Sequence, residues 1–343
     1  MDTTLLIGIL VVVLALVFDF SNGFNDSANI VATVIGTRAL TPAKAIFFAS
    51  IFEFIGAYFL GTAVAKTIGK GIIDPTIITG DKYGIVIIFA TVISAAGWNV
   101  ICTIFGFPIS ASHALIGGFI GAGIVAAGLD IVQWNNVLTI FIVLIAAPIM
   151  GLIGAFIVTK LAYFLSRSTT PKINKLYKYL QICSSMCFAL SHGTNDAQKT
   201  MGIITFSLIV LGLYKPTGEV FIPKWVIVAC ALAITLGIAL GGKAVIQTVG
   251  MHLYRIRPIN GFCAEGSGAG VIYLASIFGL PVSTTHIISG AVMGTGAAER
   301  VKAVRWGSSF DIFIVWLVTM PATACVSAGI YFLLINGIKL LGW

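Results

Sequence analysis

SHGTNDAQKTMG, residues 191–202, lies between two long apolar stretches. It sets a His, an Asn, an Asp, a Gln and a Lys side by side in a chain that otherwise reads as hydrocarbon. SNGFNDSAN, residues 21–29, does the same. Both hold Gly-x-Asn-Asp. Aligning Ser21 with Ser191 pairs Gly23 with Gly193, Asn25 with Asn195 and Asp26 with Asp196, at a spacing of 170. Further on, GFPISASHALIGGFIGAG (106–123) matches GLPVSTTHIISGAVMGTG (279–296) at a spacing of 173. Here Ser110 pairs with Ser283 and His113 with His286. Between these, GTAVAKTIG (61–69) resembles GKAVIQTVG (242–250). Three matches in one order make an internal repeat. The halves are 1–160 and 178–343, joined by a basic cytoplasmic linker, 161–177.

Composition sets the medium. The 343 residues are 58% hydrophobic and 9% charged, with a mean hydropathy of +1.05. Soluble domains carry about 25% charged residues. Residues 43–68, 137–159, 226–249 and 312–335 each exceed the roughly 20 apolar residues that span a bilayer. The chain reads as an all-α polytopic membrane protein; a transmembrane barrel shows short alternating strands instead. Residues 5–18 lack the basic flank and cleavage site of a signal peptide. The six cysteines lie mostly in apolar runs without a metal-binding spacing and read as packing residues. The net charge of +8 fits loops facing anionic lipid, not nucleic acid.

Lys and Arg give an orientation. The linker region holds Lys160, Arg167, Lys172, Lys175 and Lys178 with no acid, which places it in the cytoplasm. With the N-terminus outside, Arg38, Lys44, Arg255, Arg257, Arg300, Lys302 and Arg305 also fall inside. Each half then crosses an odd number of times, so the halves are inverted and both termini lie outside the cytoplasmic (inner) membrane. Inverted repeats with discontinuous helices mark many secondary transporters.

The Asn-Asp motifs predict breaks in two helices. An Asp at the bilayer centre costs roughly 2.5–3.5 kcal/mol, so Asp26 and Asp196 need partners. With Asn25 and Asn195 they offer a carboxylate beside neutral oxygens, which suits a small hard cation such as sodium. Simple capping of broken helix halves is the alternative. In the second pair, Gly-x-Pro precedes Ser110 and Ser283, which predicts a re-entrant-type helical hairpin in each half with a new helix starting at each Ser. A helix start offers free N–H groups and a partial positive charge, a ready anion site. Ser110, Ala111, Ser112, Ser283, Thr284 and Thr285 are the candidates there, with Ser110 and Ser283 also in reach of a cation. Gln198 and Lys199 complete that anion site. Asn22, Asn29, Glu53, His113, His192, Glu265 and His286 are candidates for coupling or supporting roles. Glu53 and Glu265 are acids within apolar helices.

These residues carry a resemblance. Gly23-Phe-Asn25-Asp26-Ser-Ala-Asn29 resembles the G-x-N-D-x-A-N signature of the inorganic phosphate transporter (PiT) family. His192-Gly-Thr-Asn195-Asp196-Ala-Gln198-Lys199-Thr-Met-Gly202 is similar to its second-half signature. The segments around Glu53, Ser110 and Ser283 follow the family pattern in order. Phe24 and Ser27 depart from it, standing where smaller residues are frequent. The long central loop of vertebrate members is absent, as in the prokaryotic branch. The resemblance implies symport of inorganic phosphate driven by sodium, or alternatively by protons, in a homodimer with an elevator-like movement; some relatives move sulfate. It implies no resident cofactor. A passive anion channel is the rival of another class, disfavoured because bare carboxylates repel an anion. An enzyme is a weaker rival, since no metal-ligand spacing of histidines or phosphate-binding loop occurs.

Overall fold

The computed structural model describes residues 3–73, 84–215, 222–241 and 256–340, all helical or loop apart from one isolated bridge between Ile73 and Val132. The second copy of the shortest sequence match, residues 242–250, lies outside the described residues, as does Arg255. The helices are α1 Thr3–Gly36, α2 Pro42–Phe59, α3 Ala63–Gly71, α4 Gly84–Ile104, α5 Ala111–Ala127, α6 Trp134–Ser166, α7 Ile173–Val210, α8 Lys224–Leu240, α9 Pro258–Ile277, α10 Thr284–Glu299 and α11 Trp306–Leu340.

Among the described residues, five segments are long and apolar enough to cross a membrane: α1, α2, α4, α6 and Ser309–Leu340 of α11. The chain is a multi-pass helical membrane protein. Along α6, Leu138, Ile142, Ile145, Ile149 and Ile153 are exposed, an apolar surface suited to lipid. The middle of α7 is instead polar and fully buried.

Both hairpins are present. α4 turns into α5 at Gly106 (φ 73°) and α9 into α10 at Gly279 (φ 68°), backbone angles that a side chain tolerates poorly. Ser110 and Ser283 cap the second helix of each, accepting the N–H of His113 and of His286, both at 3.3 Å. The same correspondence recurs elsewhere. Short 3₁₀ turns, Leu129–Ile131 and Val301–Ala303, precede α6 and α11. Trp134 and Trp306 each donate an indole N–H back to those turns, at 3.0 Å. Pro148 and Pro321 lie inside α6 and α11. The packing is reciprocal too: α5 lies on α11 and α10 on α6, while α1 lies on α8 and α7 on α2.

The expected broken helices are a correction. α1 runs through residues 21–29 and α7 through residues 191–202 without interruption. Neither motif contains a proline, and their glycines serve close approach instead. A Cβ on Gly23 would overlap the carbonyl oxygen of Ile234 on α8, and one on Gly193 that of Glu53 on α2. The polar side chains find partners on other helices, so the backbone keeps its own hydrogen bonds. Any ion held here is therefore met by side chains, not by unwound carbonyls.

Candidate functional site

α1 and α7 pack against each other and bring the two motifs together. Asp26 from α1 and His192 and Asp196 from α7 form a buried cluster, one ligand atom from each lying within 4.8 Å of the others. The His192 ring joins three carboxylates. Its Nδ1 is 2.8 Å from Glu53 of α2, and its Nε2 is 3.4 Å from Asp26 and 3.8 Å from Asp196. With both nitrogens protonated the ring donates to both sides. Lys199 pairs with Asp196 at 2.8 Å, one turn along α7, which gives this buried base the carboxylate it needs.

Hydroxyls and carboxamides fill in the carboxylates. Asn22 donates to Asp196 at 3.1 Å, and Asn29 to Asp26 at 2.6 Å. From the start of α10, Thr285 donates to Asp26 at 3.0 Å and Thr284 to Asp196 at 3.5 Å. Asn29 also donates to Thr285 at 2.9 Å. The hairpins meet where Ser112 donates to the Val282 carbonyl at 3.0 Å. Two helix starts thus adjoin, one of which touches both aspartates. Ala111 stands opposite Thr284 in the repeat and has no hydroxyl to offer.

Asn25 and Asn195 hold the hairpin turns. Asn25 donates to Thr103 at 2.7 Å and to the Phe107 carbonyl at 3.5 Å. Asn195 donates to Ser276 at 2.9 Å and to the Leu280 carbonyl at 3.2 Å. Gln198 is engaged at the start of α3: its carbonyl accepts the N–H of Val64 at 2.8 Å and of Ala65 at 3.3 Å. His113 bonds Ser110 at 2.7 Å, and its ring lies 4.8 Å from that of His286, which stacks on Trp316 at 3.8 Å. Glu265 belongs to a separate cluster. It accepts from Thr33 of α1 and, at 2.9 Å, from Ser184 of α7.

One acid escaped the sequence reading. Asp19 lies on α1 ahead of the motif, fully buried, and accepts from Thr200 of α7 at 2.9 Å. Its signal was plain, a lone acid at the end of the first apolar run. It has no counterpart in the repeat, where Ala189 stands. The site is rich in acceptors without donors: Asp19 Oδ2, Asn25 Oδ1, Asn29 Oδ1 and Glu53 Oε2 are buried and have no hydrogen-bond partner among the described residues. An excess of buried oxygens suits a hard cation or a proton.

Buried ionisable groups on helices that cross a bilayer define a membrane transport protein. The comparisons say which. The chain matches the phosphate transporter family over residues 22–171 and 166–327, and it belongs to that family. It is 42% identical to a probable low-affinity inorganic phosphate transporter of Rhizobium meliloti (strain 1021), over 97% of this chain and 98% of that one. It is 43% identical to one so named from Bacillus subtilis (strain 168), over 97% and 99%. A putative phosphate permease of Pyrococcus abyssi is 32% identical, over 94% and 96%. A solved structure described as the sodium-dependent phosphate transporter superposes with a TM-score of 0.84 at 27% identity, covering 96% of this chain and 99% of that one. The chain is a transporter, not an enzyme.

Proposed function

We propose that the chain is a symporter that imports inorganic phosphate across the cytoplasmic membrane, driven by a sodium gradient. The observation that carries the coupling is the charge balance of the site. Among the described residues, Asp19, Asp26, Glu53 and Asp196 face only Lys199 and His192 as bases. With every group ionised, two negative charges stay uncompensated in a water-poor interior, and a phosphate adds more. Cations must enter with the anion for the site to bind it. Asp26 and Asp196, with Asn29 and the Thr284 and Thr285 hydroxyls, supply oxygens of the kind sodium takes. A sodium that draws the aspartates to itself frees those two hydroxyls. They then join Lys199 and the N–H groups at the starts of α5 and α10 as donors to phosphate. The solved neighbour, described as sodium-dependent, supports sodium over protons.

The reciprocal packing supports two structural repeats, while the Lys and Arg distribution supports an inverted topology with both termini outside and residues 161–177 in the cytoplasm. A homodimer follows only from the family resemblance. Liposomes containing the purified protein test the reading. Labelled phosphate should accumulate against its own gradient when sodium is higher outside. Accumulation under a proton gradient in sodium-free medium refutes sodium coupling, and downhill flux without accumulation makes the protein a channel. Competition by sulfate tests the choice of anion.

A further inference from the structure

The coupling cations need not all be alike, and Asp19 stands apart from the sodium-suited oxygens. Its side chain is wholly shielded. One carboxylate oxygen accepts from Thr200, while the other is buried with no partner among the described residues. No ion pair reaches it among the described residues, since Lys199 is engaged by Asp196. The groups that face it are Asp196 and Lys199 from α7 and Glu53 from α2, with the Cys230 thiol from α8. α4, also packed on α1, contains no charged residue. α9 and α10 meet α1 farther along, where Glu265 bonds Thr33 and Thr285 bonds Asn29.

A bare carboxylate in such a place is strongly disfavoured, because water no longer solvates its charge. Two oxygens and one hydroxyl are too few for a hard metal ion, which gathers about six or more. A proton needs one oxygen only, and the unpartnered Oδ2 is that oxygen. We infer that Asp19 is a proton-binding site of the transport cycle, taking a proton onto Oδ2 as phosphate binds and releasing it as phosphate leaves. The source of the linkage is electrostatic. Phosphate adds negative charge beside Asp196 and Lys199, which favours neutral Asp19, and by reciprocity a neutral Asp19 favours phosphate. The proton comes from water on the side that phosphate enters and returns to water on the other. This rests on the phosphate-transport reading but not on sodium as the other ion.

The test is an infrared difference spectrum of the reconstituted full chain, recorded before and after adding inorganic phosphate at fixed sodium. The wild type should gain a carbonyl band of a protonated carboxylic acid, and Asp19→Asn should lack it. A pH-indicator dye should show the wild type taking up one more proton per bound phosphate than Asp19→Asn. Any change in the protonation of phosphate itself is common to both proteins. If Asp19→Asn does not fold, Thr200→Val, which removes the hydroxyl on Oδ1, should displace the band. A phosphate-induced band unchanged by both substitutions, or no such band in wild-type protein that binds phosphate, overturns the inference. Absence of phosphate binding in the wild type overturns both it and the transport reading. Proton-linked binding without sodium-driven accumulation sinks only the choice of sodium.

Discussion

Replacing Lys199 by Met separates the electrostatic account of the site from a merely structural one. The substitution keeps much of the aliphatic volume and deletes a positive charge held 2.8 Å from Asp196. A cation held between Asp26 and Asp196 lies roughly 5 Å from that ammonium, where two unit charges at an effective dielectric of 20 interact by about 3 kcal/mol. Even half of that, freed of repulsion, tightens sodium binding by about tenfold. Phosphate feels the opposite sign: it loses an attractive charge and faces a more negative site, so its affinity falls at least about tenfold. The two ligands should therefore move in opposite directions. Labelled-sodium binding without phosphate, and labelled-phosphate binding at saturating sodium, measure each on purified protein. Lys199→Arg keeps the charge and should restore both affinities in part. Parallel weakening of both ligands in Lys199→Met refutes the reasoning, because it marks a collapsed site rather than a rebalanced one.

Four further outcomes are expected. Gly193→Ala forces α7 away from the Glu53 carbonyl on α2 and should destabilise the fold by about 1–3 kcal/mol, seen as a lower melting temperature in detergent. Gly97→Ala, where an added Cβ meets nothing within 4 Å, should leave melting unchanged. Ser110→Ala and Ser283→Ala each delete a helix cap, costing about 1 kcal/mol of stability, and the double variant measures whether the adjoining hairpins are coupled. Glu265→Gln should leave sodium and phosphate binding at the central cluster within about threefold, since separated sites add nearly independently; a larger loss in equilibrium binding would join the two clusters.

Much of the architecture was legible in the chain because it is written locally. Gly-x-Pro before Ser110 and Ser283 specifies a turn and a capped helix start whatever surrounds it, and both hairpins are found there. The lipid-facing runs are likewise a matter of composition. The continuity of α1 and α7 was not legible, because it depends on partners far off in sequence. Asn, Asp and Gly together look like a break until Thr284, Thr285, Glu53 and the Ile234 carbonyl stand beside them. Gln198 shows the same limit. Its place in a polar motif pointed to the anion, yet its amide oxygen meets the first turn of α3, whose need for a cap appears only once the helices are packed. Asp19 is the reverse case, visible as a lone acid in an apolar run but outside the repeat, so a search for paired residues passed over it.

The mismatched pairs have a consequence of their own. In the aligned sequence halves Ala111 stands opposite Thr284, Asn29 opposite Lys199 and Ala189 opposite Asp19. A transporter that opens to its two sides by letting its halves exchange shapes would, with identical halves, rest equally in either state and run equally well in both directions. Unequal side chains at the centre tilt that balance. In the proposed transport cycle they set the resting preference of the empty carrier, and with it how quickly uptake and release run at a given phosphate load, while the load at which net uptake stops belongs to the ion gradient alone.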